Sequence, residues 1–351
     1  MSNRNLLILV LVVVLLFAGW WFFLRGDAVQ ACPDGDGICV GFVTDVGEVD
    51  DKSFNQASWE AVQEFAAEND VLAFGYVETK DAKDYEANID LFVEANYDVI
   101  VTSGFAIGDY TAAAAIANPD IYFMGVDQFQ GFDIPNFTGV LFNEDYAGFM
   151  AGALAAMLTE TDIIAGVYGA DLVPPVQKFN QGFDAGAKYI NPDITVISTY
   201  HPGGMDVAFT DPEWGATTAA QAIDNGADII YGAGGNTGNG AVIEAGTQGV
   251  YCIGVDVDQW LTLPEAHSCM VTSAMKLISP AVLHLLDAYL SDTSPDGNYV
   301  GGDGLAPYHD FEALITADMQ TIIDDIVAGL GSGDILTGYE WADPTSGAEA
   351  P

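Results

Sequence analysis

The chain has 351 residues, half of them hydrophobic, and sets 51 acidic residues against eight basic ones for a formal net charge of −43. That length is enough for two domains with substantial cores. So negative a surface repels nucleic acid and anionic lipid headgroups, and it disfavours phosphorylated or carboxylate ligands unless cations line their site.

Leu6 to Leu24 is an uninterrupted apolar run of bilayer-spanning length, with aromatic residues at its outer end. Arg4 precedes it and a long acidic region follows, so the N-terminus is expected inside and the remainder exported. Residues 1–24 are therefore read as a membrane anchor or a signal segment, with the uncleaved anchor favoured because signal-peptide cores are usually shorter. Cys32 follows Val-Gln-Ala, a loose echo of a lipoprotein cleavage site, but lies well past the apolar run. Residues 25–38 form a Gly/Asp/Pro linker. The four cysteines are Cys32, Cys39, Cys252 and Cys269. An exported chain with an even number permits disulfides, and three pairings are possible in principle. Cys32–Cys39 would close a short loop, and Cys252–Cys269 would link two neighbouring strands. No C-x-x-C occurs and the four histidines are scattered, which argues against zinc.

Cys39 to Thr44 is a β-rich apolar run that suits a strand buried on both faces. Asp45 stands where that strand would end. Ser53 and Gln56 have the S-x-x-Q spacing of a capping box, and Trp59, Val62 and Ala66 continue a helix face. Asp45, Phe54 and Asn55 are therefore expected together at the C-terminal edge of a parallel sheet, where open α/β folds bind ligands. Further strands are predicted at Val71–Val77, Asp98–Ser103, Ile121–Val126, Ile163–Tyr168, Ile194–Tyr200, Asp228–Tyr231, Val250–Val255 and Met270–Ser273. Helices are predicted at Asp84–Ala95, Asp145–Leu158 and Pro212–Asn225. The last has Asp211 as N-cap, Pro212 at the first helical position and Gly226 just past its end. Residues 291–305 read as a Gly/Asp loop, Thr316–Leu330 as a helix and residues 343–351 as a polar tail. The alternation predicts a doubly wound α/β architecture.

A diluted internal repeat runs through this pattern. Gly41 and the triplet Phe54-Asn55-Gln56 recur 125 positions later as Gly166 and Phe179-Asn180-Gln181. DVIVTSG from Asp98 is echoed by DIIYGAG from Asp228, and MGVDQF around Asp127 by IGVDVDQW around Asp256. Two similar lobes, each offering a sheet edge to the other, would enclose a cleft suited to a small ligand.

Several residues stand out as candidates for that cleft. The Gly-rich run from Tyr231 to Gly240 follows a strand and opens a helix. It fits neither the dinucleotide fingerprint nor the P-loop, and reads as backbone N–H groups facing a neutral polar ligand. Lys276 is the only basic residue after Lys188. It is a candidate ligand contact, a partner for buried carboxylates such as Asp256, or both. Asp127 and Asp256 are repeat-equivalent strand ends, and Asp45 is a third. Paired carboxylates also serve glycoside hydrolysis, but no further element supports that chemistry here, and no nucleophile elbow or metalloprotease signature is present. Phe54 and Tyr231 are expected to face each other across the cleft and sandwich a flat ring.

The runs TDVGEVDDKSFNQASWEA, PPVQKFNQGFDAGAKYINPDI and AGGNTGNG, and IGVDVDQW followed by SAMK, resemble the basic membrane protein family of substrate-binding lipoproteins, which includes purine nucleoside receptors of ABC importers. The resemblance spans Cys39 to about residue 340. It implies a type I periplasmic-binding fold, two doubly wound α/β lobes joined by a three-crossover hinge. Lobe 1 would comprise about 39–142 plus 274–305, and lobe 2 about 143–273 plus 306–340. By the same resemblance Phe54 and Tyr231 stack on the base, Asp45 and Asn55 hydrogen-bond it, and Asp256 and Lys276 hold ribose hydroxyls. Gly104, Phe105, Asp127, Asn143, Gly234 and Gly235 match other cleft-lining positions, with Phe179 a further candidate. The chain departs from the family pattern in the added Asn236 of its Gly-rich loop, in Tyr at 231 where Phe is usual, and in its N-terminal segment. The function implied is an extracytoplasmic receptor, monomeric and without cofactor or metal. It captures a nucleoside by hinge closure and hands it to an ABC permease. A ligand-sensing receptor and a sugar or polar-solute receptor are the alternatives on the same fold.

Overall fold

The computed structural model describes residues 29–339; the apolar run Leu6–Leu24 and the tail from Asp343 lie outside the described residues. Among the described residues no helix is long and apolar enough to cross a membrane.

The first lobe begins with β1 (Ile38–Val46), α1 (Phe54–Glu68), β2 (Val71–Thr79), α2 (Tyr85–Glu94), β3 (Val99–Ser103), α3 (Gly108–Ala117), β4 (Tyr122–Val126) and β5 (Phe137–Leu141). The chain then crosses over. The second lobe contains α4 (Glu144–Leu158), β6 (Ile163–Tyr168), α5 (Pro174–Ile190), β7 (Thr195–Tyr200), α6 (Pro212–Asp224), β8 (Ile229–Ala233), α7 (Gly235–Gln248), β9 (Tyr251–Asp256), α8 (Gln259–Thr262) and β10 (Met270–Lys276). A second crossover returns to lobe 1 for α9 (Ile278–Leu290) and β11 (Gly297–Val300). A third leads to β12 (Asp303–Leu305) and α10 (Ala317–Ser332). The sheet orders are β11-β5-β4-β3-β1-β2 and β12-β10-β9-β8-β6-β7. All recorded strand pairs are parallel except the antiparallel β10–β12 edge.

Alternating strand residues serve opposite faces of each sheet. In lobe 1, Phe42 and Val101 pack with Val62 of α1 and Leu285 of α9, whereas Val43 and Ile100 pack with Phe92 of α2 and Ala115 of α3. In lobe 2, Ile164, Ile229 and Tyr231 face Ala147 of α4 and Phe183 of α5, while Val167 and Ile230 face Ala219 of α6 and Val242 of α7. Helices α4 and α5 approach backbone to backbone. A Cβ at Gly152 would lie 1.9 Å from Phe183 O, and one at Gly186 would lie 1.9 Å from Phe149 O. Only glycine permits that approach, and Gly148 and Gly182 continue it towards the cleft end of α5, where a Cβ would lie 2.4 Å from Phe179 O and 2.2 Å from Asp145 O, respectively.

Three sequence expectations are corrected. Ser53 makes no side-chain cap on α1. The carboxylate of Asp51 caps that helix instead, accepting from Ser53 N, Asn55 N and Gln56 N at 2.9, 2.9 and 3.1 Å. Ser53 Oγ donates to Asp256 Oδ2, 2.7 Å away in the other lobe. Residues 291–305 are not all loop, because β11 and β12 add edge strands to the two sheets. Pairing through Lys276 and Asp303–Leu305 also assigns these residues to the second sheet, so both later crossovers fall a few residues from the expected boundaries. Both disulfides form as expected, Cys32–Cys39 and Cys252–Cys269. Among the described residues the one grouping of potential metal ligands is Cys32, Cys39 and Asp98, and its two sulfurs are spent in a disulfide.

Cys252 and Cys269 enclose a short loop within the lobe 2 core. Replacing both by alanine is expected to cost about 3 kcal/mol, from loop-closure entropy regained by the unfolded chain. Urea unfolding of variant and parent checks this, and equal midpoints would contradict it.

Candidate functional site

The C-terminal ends of both sheets face a cavity lined by residues of both lobes. Asp45 enters it from the end of β1. Directly beside it, Gly104 follows β3 with φ +111°, and a Cβ there would lie 1.9 Å from Asp45 Oδ2. Glycine is thus required for the carboxylate to occupy that place. Asp127, after β4, and Asp256, at the end of β9, have φ of 61° and 65°. Repeat-equivalent residues therefore adopt the same left-handed backbone, which Asp tolerates better than most side chains. In both lobes the strand ends in a tight reversal that turns a carboxylate into the cleft.

Lys276 closes the cavity floor from the end of β10 and is 3% exposed. Its Nζ lies 2.5 Å from Asp127 Oδ2, 3.6 Å from Glu144 Oε1 and 3.7 Å from Asp256 Oδ1. It also lies over the Phe54 ring at 4.6 Å and near Phe179 at 5.6 Å. Glu144, at the first crossover, bonds Lys178 of α5 through its other oxygen at 2.9 Å. Burial alone would lower the Lys276 pKa, but Asp127, Asp256 and Glu144 outweigh it and hold the group above its ordinary value.

The carboxylates outnumber this cation. Burial, with Asp51 and Asp127 nearby, pushes Asp45 up to about 8 despite a hydrogen bond from Asn55. Burial also pushes Asp51 and Asp127 up to about 7, and Asp256 is raised for the same reason. One oxygen of Asp127 takes Lys276, and the other, buried Oδ1 has no hydrogen-bond partner. Asn55 is oriented by Ser103 Oγ, which donates to its Oδ1 at 2.8 Å.

Ten of the twelve residues expected in the site line the cavity: Asp45, Phe54, Asn55, Gly104, Phe105, Asp127, Gly234, Gly235, Asp256 and Lys276. Tyr231 does not. It is fully buried within the lobe 2 core, stacked on Phe183 at 4.9 Å, with its hydroxyl unpartnered. The reason is strand length. β8 runs on to Ala233, which leaves Tyr231 mid-strand on the face covered by α5. Asn143 is also outside the cavity, at the first crossover, where its Nδ2 donates to Asp303 Oδ2 at 3.3 Å. The aromatic residues of the lobe 2 wall are Phe179 and Phe209, joined by Met205 and Thr210. Phe209 sits in the β7–α6 loop, its ring against Gly169, where a Cβ would come within 2.2 Å of it. Its sequence signal was available: an aromatic two residues before the Asp211 N-cap, at the same sheet edge that singles out Phe54.

Comparison with known proteins decides the family. The family described as "ABC transporter substrate-binding protein PnrA-like" matches residues 38–301. The chain belongs to this family. Similar relatives include the "ABC transporter nucleoside-binding protein BmpA" of Lactococcus lactis, 33% identical over 74% of this chain and 76% of that protein. The "CD4+ T-cell-stimulating antigen" of Listeria innocua is 30% identical over 84% and 87%, respectively. A solute-binding protein of an ABC transporter system from Aeropyrum pernix has the same fold, with a TM-score of 0.75 at 24% identity, covering 86% of this chain and 94% of that one. As a PnrA-like substrate-binding protein, the chain is the extracytoplasmic component of an ABC transporter, with a small-molecule ligand and a permease partner. It is a binding protein and not an enzyme.

The raised acids fix the sign of the pH response. In the folded state Asp45, Asp51 and Asp127 retain protons up to about pH 7–8 that the unfolded chain releases near 3.8. Their contribution to stability is therefore present below about pH 4 and lost as pH rises through 7–8. Ligand-free protein is expected to melt at higher temperature at pH 5 than at pH 8, and Asp45→Asn to narrow that difference. Calorimetry that finds the opposite order would contradict this assignment.

Proposed function

We propose that the ligand is a purine nucleoside, bound between the lobes as they close about the hinge. The observation that carries this reading is one cavity with aromatic side chains on both walls, Phe54 on lobe 1 and Phe179 and Phe209 on lobe 2, above a floor of carboxylates and a single cation. Aromatic walls suit a flat base. Asp45, in its protonated form, and Asn55 offer a donor and an acceptor to the base edge. Asp256, Asp127 and Lys276 suit ribose hydroxyls, and the unpartnered Oδ1 of Asp127 supplies a free acceptor for one of them. Five acidic residues line the cavity against one basic residue, Lys276, which disfavours a phosphate, so the nucleoside suits the cleft and the nucleotide does not. The nucleoside-binding relative supports the same ligand class. The receptor acts as a monomer, tethered to the membrane by its N-terminal segment, and ligand contacts made with both lobes at once add to the stability of the closed state.

Titration calorimetry with adenosine, guanosine, inosine and cytidine is expected to give micromolar or tighter dissociation constants for purines and no heat with the corresponding monophosphates. Heat with ribose alone would replace this reading with a sugar receptor. Phe54→Ala and Asp256→Ala should each weaken binding by about 2 kcal/mol, the scale of a buried anchor. Tyr231→Phe should leave affinity unchanged, since that hydroxyl faces the core, and a loss there would restore Tyr231 to the site.

A further inference from the structure

The lobes also meet beside the cavity, through contacts that involve no ligand. The lobe 1 turn Asp51–Ser53 carries Lys52 at φ 61°, a left-handed conformation uncommon outside glycine, and its carbonyls are directed into lobe 2. Asn239 Nδ2 of α7 donates to Asp51 O at 2.9 Å. Thr262 Oγ1, at the end of α8, donates to Lys52 O at 2.7 Å, and Gln259 Nε2 reaches the same oxygen at 3.4 Å. Gln259 is almost wholly buried. Its Oε1 accepts from Val255 N at 3.0 Å, and its Nε2 also donates to Asn239 Oδ1 at 2.8 Å, so the two amides brace each other.

The platform beneath these donors is firm. α8 is only four residues long, yet its Trp260 is stacked between His267 and His309 at 4.2 and 4.3 Å. His309 is in turn paired to Asp258 at 2.7 Å. On the other side, Asp51 is the residue whose carboxylate caps α1. Whatever holds the backbone of Asp51 and Lys52 therefore also holds the first turn of α1, which carries Phe54 and Asn55.

We propose that Asn239, Gln259 and Thr262 form a latch that holds the lobes closed in the absence of ligand and, through the Asp51 turn, positions Phe54 and Asn55 in the cavity wall. They act as positioning residues. Opening the lobes exposes Asp51 O and Lys52 O to water and leaves the amide pair one partner short. Each hydrogen bond lost on opening shifts the open-to-closed ratio by about fivefold. The latch is independent of which solute binds, so it survives failure of the nucleoside reading.

The test uses full-length protein in detergent, freed of bound solute by dialysis and carrying spin labels at Glu60→Cys on α1 and Thr247→Cys on α7, both exposed. All four native cysteines are in disulfides, so labelling is confined to the introduced sites. Pulsed electron resonance then reads the distance between lobes. The expected result is a mainly short distance in the parent and a shift towards longer distances in Thr262→Val and in Asn239→Ala. Thr262→Ser, which keeps the hydroxyl, should retain the parent distribution. Thr262 is half-buried at a helix end, so its valine variant is expected to fold. A ligand-free parent already as open as the two variants, or variants as closed as the parent, would overturn the latch.

Discussion

The whole arrangement turns on one buried ammonium. Lys276 is the last residue of β10, where the chain leaves lobe 2 for lobe 1. An unpaired charge could not remain there, because burial without partners costs several kcal/mol. Its partners come from the three places that must meet: Asp127 from lobe 1, Asp256 from lobe 2 and Glu144 from the first crossover. Glu144 passes the connection to Lys178 on α5, the helix that brings Phe179 to the cavity. One side chain thus links hinge, floor and both walls, so a displacement at any of them changes the surroundings of the same charge.

That cation also explains how so acidic a protein can offer a site for a polar solute. At −43 the chain presents a repulsive field to any anion. The cavity does not reverse this. It keeps more carboxylates than cations, and burial holds some of them protonated near neutral pH. A protonated carboxyl donates one hydrogen bond and an ionised one only accepts, so the floor presents both kinds of group without a net positive charge. A neutral ligand rich in donors and acceptors fits that mixture.

Much of this was legible in the sequence because strand ends are a topological feature. Once β1, β4 and β9 are recognised as buried parallel strands, Asp45, Asp127 and Asp256 fall at their C-terminal ends, and the repeat pairs the last two. What escaped depends on strand length or on distant partners. The repeat and the family resemblance point to Tyr231 as a cleft residue, and a strand predicted to end at that residue agrees with them. The strand runs two residues further to Ala233 on the same face, so Ala233 reaches the cavity and Tyr231 is left in the core behind it. Ser53 has the spacing of a cap, but its hydroxyl is taken by Asp256, 203 positions away. The four-residue β11 and three-residue β12 have no apolar run of their own and exist by pairing with β5 and β10.

The repeat makes the two lobes alike, and Lys276 makes them different. Asp127 and Asp256 share a backbone conformation, but Lys276 bonds the first directly, while Ser53 of the opposite lobe takes the second. A pseudo-symmetric pair of carboxylates thereby becomes one that distinguishes the ends of a ligand. The ammonium over Phe54 has a further consequence. At 4.6 Å from the ring centroid it occupies one face of that ring, too close to admit a second flat group between them. The cation that neutralises the floor therefore also closes one face of the aromatic wall to a flat ligand.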